Sequence, residues 1–206
     1  MRLRLCVLAA AGGAVLTMLP ASAGAAKPQI TDVAGDANAI NGQGETTSVP
    51  SQSTPADASF ADIVSVRFAT TFATKVVKHK KTLVPTGMTA TMTLAAPPTV
   101  PFVNYRIYAS TARCSNLFFE YSTSPAGRGT DLRCPGSVPV VSADTLFTVK
   151  PAVVKGNTIT WTVPLKSLPA GTTLTGLQAD TRFNPVKLTI PSIDYASSPS
   201  TFTVGK

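Results

Sequence analysis

The sequence predicts an all-β, antiparallel sandwich, jelly-roll or immunoglobulin-like, with about eight strands and one disulfide. Three observations carry this. Period-two alternation recurs along the chain, most clearly where Met88, Ala90, Met92 and Leu94 interleave with Thr89, Thr91 and Thr93, the pattern of a strand with one buried face. Only 14% of residues are charged and 17 are proline, which disfavours long solvent-facing helices and divides the chain into short segments. Two cysteines, Cys114 and Cys134, form an even pair in an exported domain, where oxidation is the default.

In chain order, residues 1–25 read as a signal peptide. Met1-Arg2-Leu3-Arg4 is a basic start, an uncharged apolar run extends from Leu5 to Leu19, and Ala21-Ser22-Ala23 and Ala23-Gly24-Ala25 satisfy the small-x-small cleavage rule. The apolar run is short of the ~20 residues that span a bilayer, so no retained membrane span is expected. Cys6 would leave with the signal. Residues 26–206 then form a single secreted domain, and 44% of the full sequence is hydrophobic, enough to build a core.

A polar stretch at about 37–59, rich in Asn, Gly, Gln, Ser and Thr, interrupts the rhythm. A loop of that length in a compact domain is functional or unstructured. After it, Val64, Val66, Phe68 and Phe72 alternate with Ser65, Arg67 and Thr71. The strand at 88–94 follows, and Ile159, Trp161 and Val163 alternate with Thr158, Thr160 and Thr162, which places Trp161 in the core. Weaker strands are expected at 102–109, 117–122, 145–154, 174–183 and 200–204. Pro97-Pro98, Pro125-Ala126-Gly127, Lys155-Gly156-Asn157, Pro169-Ala170-Gly171 and Asn184-Pro185 supply turns. Residues 163–168 are expected to hold a single helical turn. No helical crossover is available to connect parallel strands.

Four aspartates bracket the polar loop: Asp32 and Asp36 before it, Asp57 and Asp62 at its end. Clustered carboxylates repel unless a cation lies between them, and calcium takes an all-oxygen shell. Gly35 permits a tight turn that aims Asp32 and Asp36 inward. These four are therefore the candidate calcium ligands. The alternative is an Asx-rich turn that solubilises a strand end. An EF-hand is excluded, because its alternating ligands and closing Glu are missing.

The segments Ile30-Thr31-Asp32-Val33-Ala34-Gly35-Asp36, Asp62-Ile63-Val64-Ser65-Val66 and Gly156-Asn157-Thr158-Ile159-Thr160-Trp161-Thr162-Val163-Pro164 resemble secreted bacterial β-sandwich modules of the DOMON-like, family-nine carbohydrate-binding superfamily. The resemblance implies a jelly-roll-like sandwich with structural calcium and a sugar-binding face. Haem-binding relatives use Met and His ligands. Here the single histidine, His79, lies inside a lysine run.

A ligand-binding face is expected on Phe102, Asn104, Arg106 and Tyr108, the parity opposite Val103, Tyr105 and Ile107. Rings stack on sugars, and amide and guanidinium groups meet hydroxyls. The alternative is a strand covered on both sides. Lys75, Lys78, Lys80 and Lys81 form a basic patch between two strands. Such a patch reads as a solvated hairpin end or as a grip on an anionic envelope polymer. The run has no aromatic residue to stack on bases, which argues against nucleic acid.

Enzyme readings lack a constellation. His79 is the only imidazole, zinc would lack ligands once the cysteines pair, and nothing local ties Glu45 or Glu120 to Asp131, Asp144 or Asp180. The expected function is a non-catalytic, calcium-stabilised module that binds carbohydrate or an envelope component. The alternatives are a secreted hydrolase with an unrecognised site and a structural protein that associates with anionic polymers through the basic hairpin.

Overall fold

The computed structural model describes residues 27–37, 58–77, 79–124, 130–134, 145–147, 150–183 and 192–206. Residues 1–25, which the sequence reading assigns to a signal peptide, lie outside them, as do Asp57, Lys78 and most of the polar loop. The strands are β1 (Ile30–Thr31), β2 (Ile63–Val77), β3 (Lys80–Leu94), β4 (Val103–Thr111), β5 (Cys114–Ser122) and β6 (Thr130–Cys134) in the first part of the chain. They continue as β7 (Thr145–Phe147), β8 (Lys150–Lys155), β9 (Thr158–Pro164), β10 (Thr173–Phe183), β11 (Ser192–Ser198) and β12 (Phe202–Thr203).

Two antiparallel sheets pack face to face. The first runs β1-β2-β3-β9-β8; the second runs β11-β10-β4-β5-β6-β7, with β12 also paired to β10. The Thr-rich alternations form the centre of the first sheet, where Ala90 opposes Trp161 and Met92 opposes Ile159. Phe68, Met88, Met92, Ile159, Trp161 and Val163 bury one face against Val103, Tyr105, Ile107, Leu117, Phe119 and Ala179 of the second sheet. Phe119 bridges them, with its ring centroid 6.2 Å from Phe68 and 6.3 Å from Trp161. The Trp161 indole N–H donates to the Glu120 carbonyl at 3.2 Å, so its one polar atom is satisfied inside the core.

Several details depart from simple alternation. A register shift between Ile63 and Ser65 puts Ile63 in the core and leaves Val64 half-buried. A bulge gives one strand two residues against one, so the parity read from Val66 breaks there. Val163 and Pro164 end β9, and residues 165–168 form a turn in which Ser167 and Leu168 N–H both donate to the Pro164 carbonyl; no helix is formed among the described residues. Strands β1, β6 and β11 have no alternation long enough to register in the sequence.

Cys114 and Cys134 are bonded, their Cα atoms 5.9 Å apart across 20 positions. The bond ties the start of β5 to the end of β6. Replacing both cysteines by Ser is expected to cost about 3 kcal/mol, read as a lower urea midpoint with a slope that is no smaller, because the unfolded chain is freed to expose more surface.

Candidate metal centre and outer-face polar row

Two of the four candidate calcium ligands, Asp32 and Asp36, meet at one edge of the sandwich. Strand β1 is only a two-residue ribbon on the edge of β2, pairing Ile30 with Val66 and Thr31 with Ser65. The chain then turns through Gly35, whose φ of 91° lies in the left-handed region that favours glycine. The Gly35 N–H donates to Asp62 Oδ2 at 2.6 Å, fastening the turn to the residue that precedes β2. Asp32 stands on one side of the turn and Asp36 on the other.

The third member comes from the second sheet. Carboxylate oxygens of Asp32, Asp36 and Asp194 all lie within 4.8 Å of one another. Asp194 is in β11, opposite Thr181 and beside a register shift in the β10–β11 pairing. It therefore faces inward, with the Thr181 parity that packs onto the first sheet. Its Oδ2 accepts from the Ile63 N–H at 2.5 Å and its Oδ1 from the Tyr195 N–H at 2.7 Å. The Asp194 bond to Ile63 joins the two sheets at the cluster.

Among the described residues, two buried carboxylate oxygens of this corner have no hydrogen-bond partner: Asp32 Oδ2 and Asp62 Oδ1. Asp62 is only 2% exposed. Leaving such an acceptor dry and unpaired is costly, and the cost is relieved by a proton or a cation. The electrostatics agree. Burial, reinforced by Asp32 and Asp36, pushes Asp194 up to about 6 against the pull of its two backbone donors. Burial likewise raises Asp32, with further upward push from Asp36 and Asp62. Asp62 is also raised, by burial and by Asp36.

Of the expected ligands, Asp32 and Asp36 come together. Asp62 holds the turn and lends a buried oxygen to the corner, without belonging to the three-carboxylate group. Asp57 lies outside the described residues. Asp194 is the residue the sequence reading missed. Its only local mark is an acid that alternates with Tyr195, and nothing in that pattern points to Asp32.

The second site is a row across the outer face of the second sheet. In register, Tyr195, Asp180, Arg106 and Glu120 stand side by side on β11, β10, β4 and β5. The Arg106 guanidinium is ion-paired to Glu120 and sits 5.8 Å from the centre of the Phe118 ring. Arg182 Nε donates to Asp180 Oδ2 at 2.7 Å, and the Tyr108 hydroxyl donates to the same oxygen at 3.3 Å. The other Asp180 oxygen is buried without a partner among the described residues, and burial raises this acid despite Arg182 and Arg106. Asn104, Arg106 and Tyr108 are each half-buried on this face. Phe102 does not share it. It precedes β4 with a φ of 65°, which breaks the alternation, and it packs half-buried against the core.

The lysines of the basic patch are separate from both sites. Lys75, Lys80 and Lys81 are exposed near the end of the β2–β3 hairpin. Among the described residues no helix is long and apolar enough to cross a membrane. The chain matches no family model, no curated protein and no solved structure.

Proposed function

We propose that the chain is an exported, non-catalytic binding module whose sandwich is fastened by calcium and whose ligand is a carbohydrate or another envelope component. The observation that carries this reading is the group of Asp32, Asp36 and Asp194, which joins the turn after β1 to the inward-facing acid of β11, beside two buried carboxylate oxygens that have no hydrogen-bond partner among the described residues. Hard oxygen donors of this kind, with no nitrogen or sulfur among them, match calcium better than zinc or copper. An ion held there would clasp β1, the start of β2 and β11, and would replace repulsion among three acids by attraction.

The outer-face row supports the ligand class. Glu120 orients Arg106 beside the Phe118 ring, and Tyr108 and Arg182 converge on Asp180. The half-buried Tyr108 and Phe118 rings, 5.9 Å apart and tilted by 43°, with held hydrogen-bonding groups beside them, suit a sugar, which presents apolar faces and hydroxyl edges. The likeness to family-nine carbohydrate-binding modules points the same way.

The test is a glycan and envelope-polymer binding screen, run with calcium and with chelator. Binding is expected in calcium and is expected to weaken in chelator as the corner loosens. Arg106→Gln keeps much of the side-chain stem but breaks the charged pair, and is expected to lower affinity at least tenfold. An affinity unchanged by that substitution assigns the ligand elsewhere.

A further inference from the structure

We propose that the far end of the β2–β3 hairpin is a docking arm for anionic phospholipid surfaces. The assignment is independent of the metal corner and of the outer-face row.

The hairpin runs past the strands that flank it in the first sheet, although its base is packed, with Ala73 buried. Strand β3 pairs with β9 only from Gly87 to Thr93, and β1 covers β2 only at Ser65 and Val66. Residues Phe72–Val77 and Lys80–Pro85 pair with each other, and no other described strand pairs with them. Six residue pairs of extended chain reach about 20 Å. Such a two-stranded ribbon has little stability of its own in water.

A register shift between Thr71 and Phe72 marks the base of the ribbon. There Thr71 faces Gly87 but Phe72 faces Pro85, so Thr86 is the extra residue. That extra residue reverses the parity of β3. Met88 points into the core opposite Thr70; beyond the bulge, Pro85, Leu83 and Lys81 lie opposite Phe72, Thr74 and Val76. The face that buries Phe68 and Met88 inside the sandwich thus continues outward along the ribbon. On it, Val76 is 46% exposed and Leu83 55%. Thr74 pairs with Leu83 and Val76 with Lys81, so the two apolar side chains are diagonal neighbours on one face.

Residues 72–86 contain Lys75, Lys78, Lys80 and Lys81 and no acid. The ordinary use of lysine on such a ribbon is to deter pairing with another edge strand. That use does not require Val76 and Leu83 to be exposed beside the charge. Lys81 shares the face of Val76 and Leu83, and Lys75 and Lys80 stand on the ribbon's other face. Lysines on both sides of a tip that carries exposed apolar side chains match an anionic bilayer, where ammonium groups meet lipid phosphates and apolar side chains enter the headgroup boundary. A soluble polyanion would use the lysines alone.

Leu83→Trp in the full exported chain provides the test. The single native tryptophan, Trp161, is fully buried, so a change in emission on adding lipid reports position 83. With vesicles of phosphatidylglycerol and phosphatidylcholine at 3:7, in chelator and low salt, the emission is expected to shift to the blue and the protein to sediment with lipid. Pure phosphatidylcholine and soluble polyphosphate are expected to leave the emission unchanged. Joint replacement of Lys75, Lys80 and Lys81 by Glu is expected to reduce sedimentation at least tenfold. Val76→Ser with Leu83→Ser, in the otherwise native chain, is expected to reduce it several-fold. Both sets of side chains are exposed, so melting temperatures are expected to stay near that of the parent. Emission unmoved by anionic vesicles overturns the proposal, as does equal sedimentation of parent and lysine variant. A shift equally large with polyphosphate also overturns it, in favour of a polyanion grip.

Discussion

Calcium at about 100 times its dissociation constant is expected to raise the melting temperature of metal-free protein by about 5–10 °C at pH 7, and by much less at pH 5. Saturation of that degree stabilises a fold by about 2.7 kcal/mol, and a domain of this size gains ~2–4 °C per kcal/mol. The pH dependence follows from the acids of the metal corner. Asp194 is raised to about 6 in the fold, and an unfolded carboxyl titrates near its ordinary value of 3.8, so between those values the folded state binds more protons. Stability of the metal-free protein is then greatest below pH 4 as far as this group is concerned, and falls as pH rises through 6, by on the order of 2 kcal/mol. Asp32 and Asp62, also raised, act with the same sign. In chelator, the cluster thus makes the protein less stable at pH 7 than at pH 5. Calcium opposes this, because it needs the ionised acids and competes with their protons. Asp36→Asn, at the most exposed of the three ligand positions, is expected to stabilise the metal-free protein at pH 7 and to shrink the calcium response. Thermal melts at both pH values, in chelator and in calcium, check every part. A response to calcium that is equal at the two pH values would separate the ion from these carboxylates.

Gly87→Ala is expected to cost about 2–4 kcal/mol, a large loss for the addition of one methyl group. Gly87 pairs with Pro164 where the ribbon leaves the sheet. A Cβ there would lie 2.3 Å from the Val163 carbonyl oxygen and 3.1 Å from Pro164 Cα. Both are backbone atoms, so no rotamer change relieves the contact, and β3 and β9 must separate locally. The Leu165 N–H to Thr86 carbonyl bond, 3.2 Å long, sits at the same junction and is expected to weaken with them. Gly156 has only its φ of 57° to lose and open space around it, so Gly156→Ala is the milder control. Urea melts of the two variants decide the matter. A Gly87→Ala midpoint no lower than that of Gly156→Ala would mean that the strands yield easily.

Much of the sandwich is determined locally. Alternation of Met and Ala with Thr in β3, and of Ile, Trp and Val with Thr in β9, assigns each side chain to a face without reference to any partner, because the strand period is two. The disulfide was equally legible, since only two cysteines follow the apolar run at residues 5–19. The polar partners on the outer face were partly so: the parity of Asn104, Arg106 and Tyr108 is local, but the guanidinium's company depends on which strands flank β4. Alternation also misplaced Val64 and Phe102. A bulge or a left-handed residue changes the count only relative to a neighbouring strand, and the sequence of one strand does not contain that neighbour.

The metal corner divides along the same line. Asp32, Gly35 and Asp36 form one turn, so sequence alone determined that two carboxylates meet there. That Asp194 completes the group was decided by tertiary structure, through a hydrogen bond between residues 131 positions apart that holds β11 against the start of β2. The exposed apolar face of the ribbon was decided in the same way, by one extra residue at Thr86 that turns Leu83 to the side of Val76. Hydrophobic periodicity acts over a few residues and is readable from them. Which carboxylates share a corner, and which apolar side chains are left uncovered, depends on where one sheet ends over the other, and that is settled only when the two sheets pack.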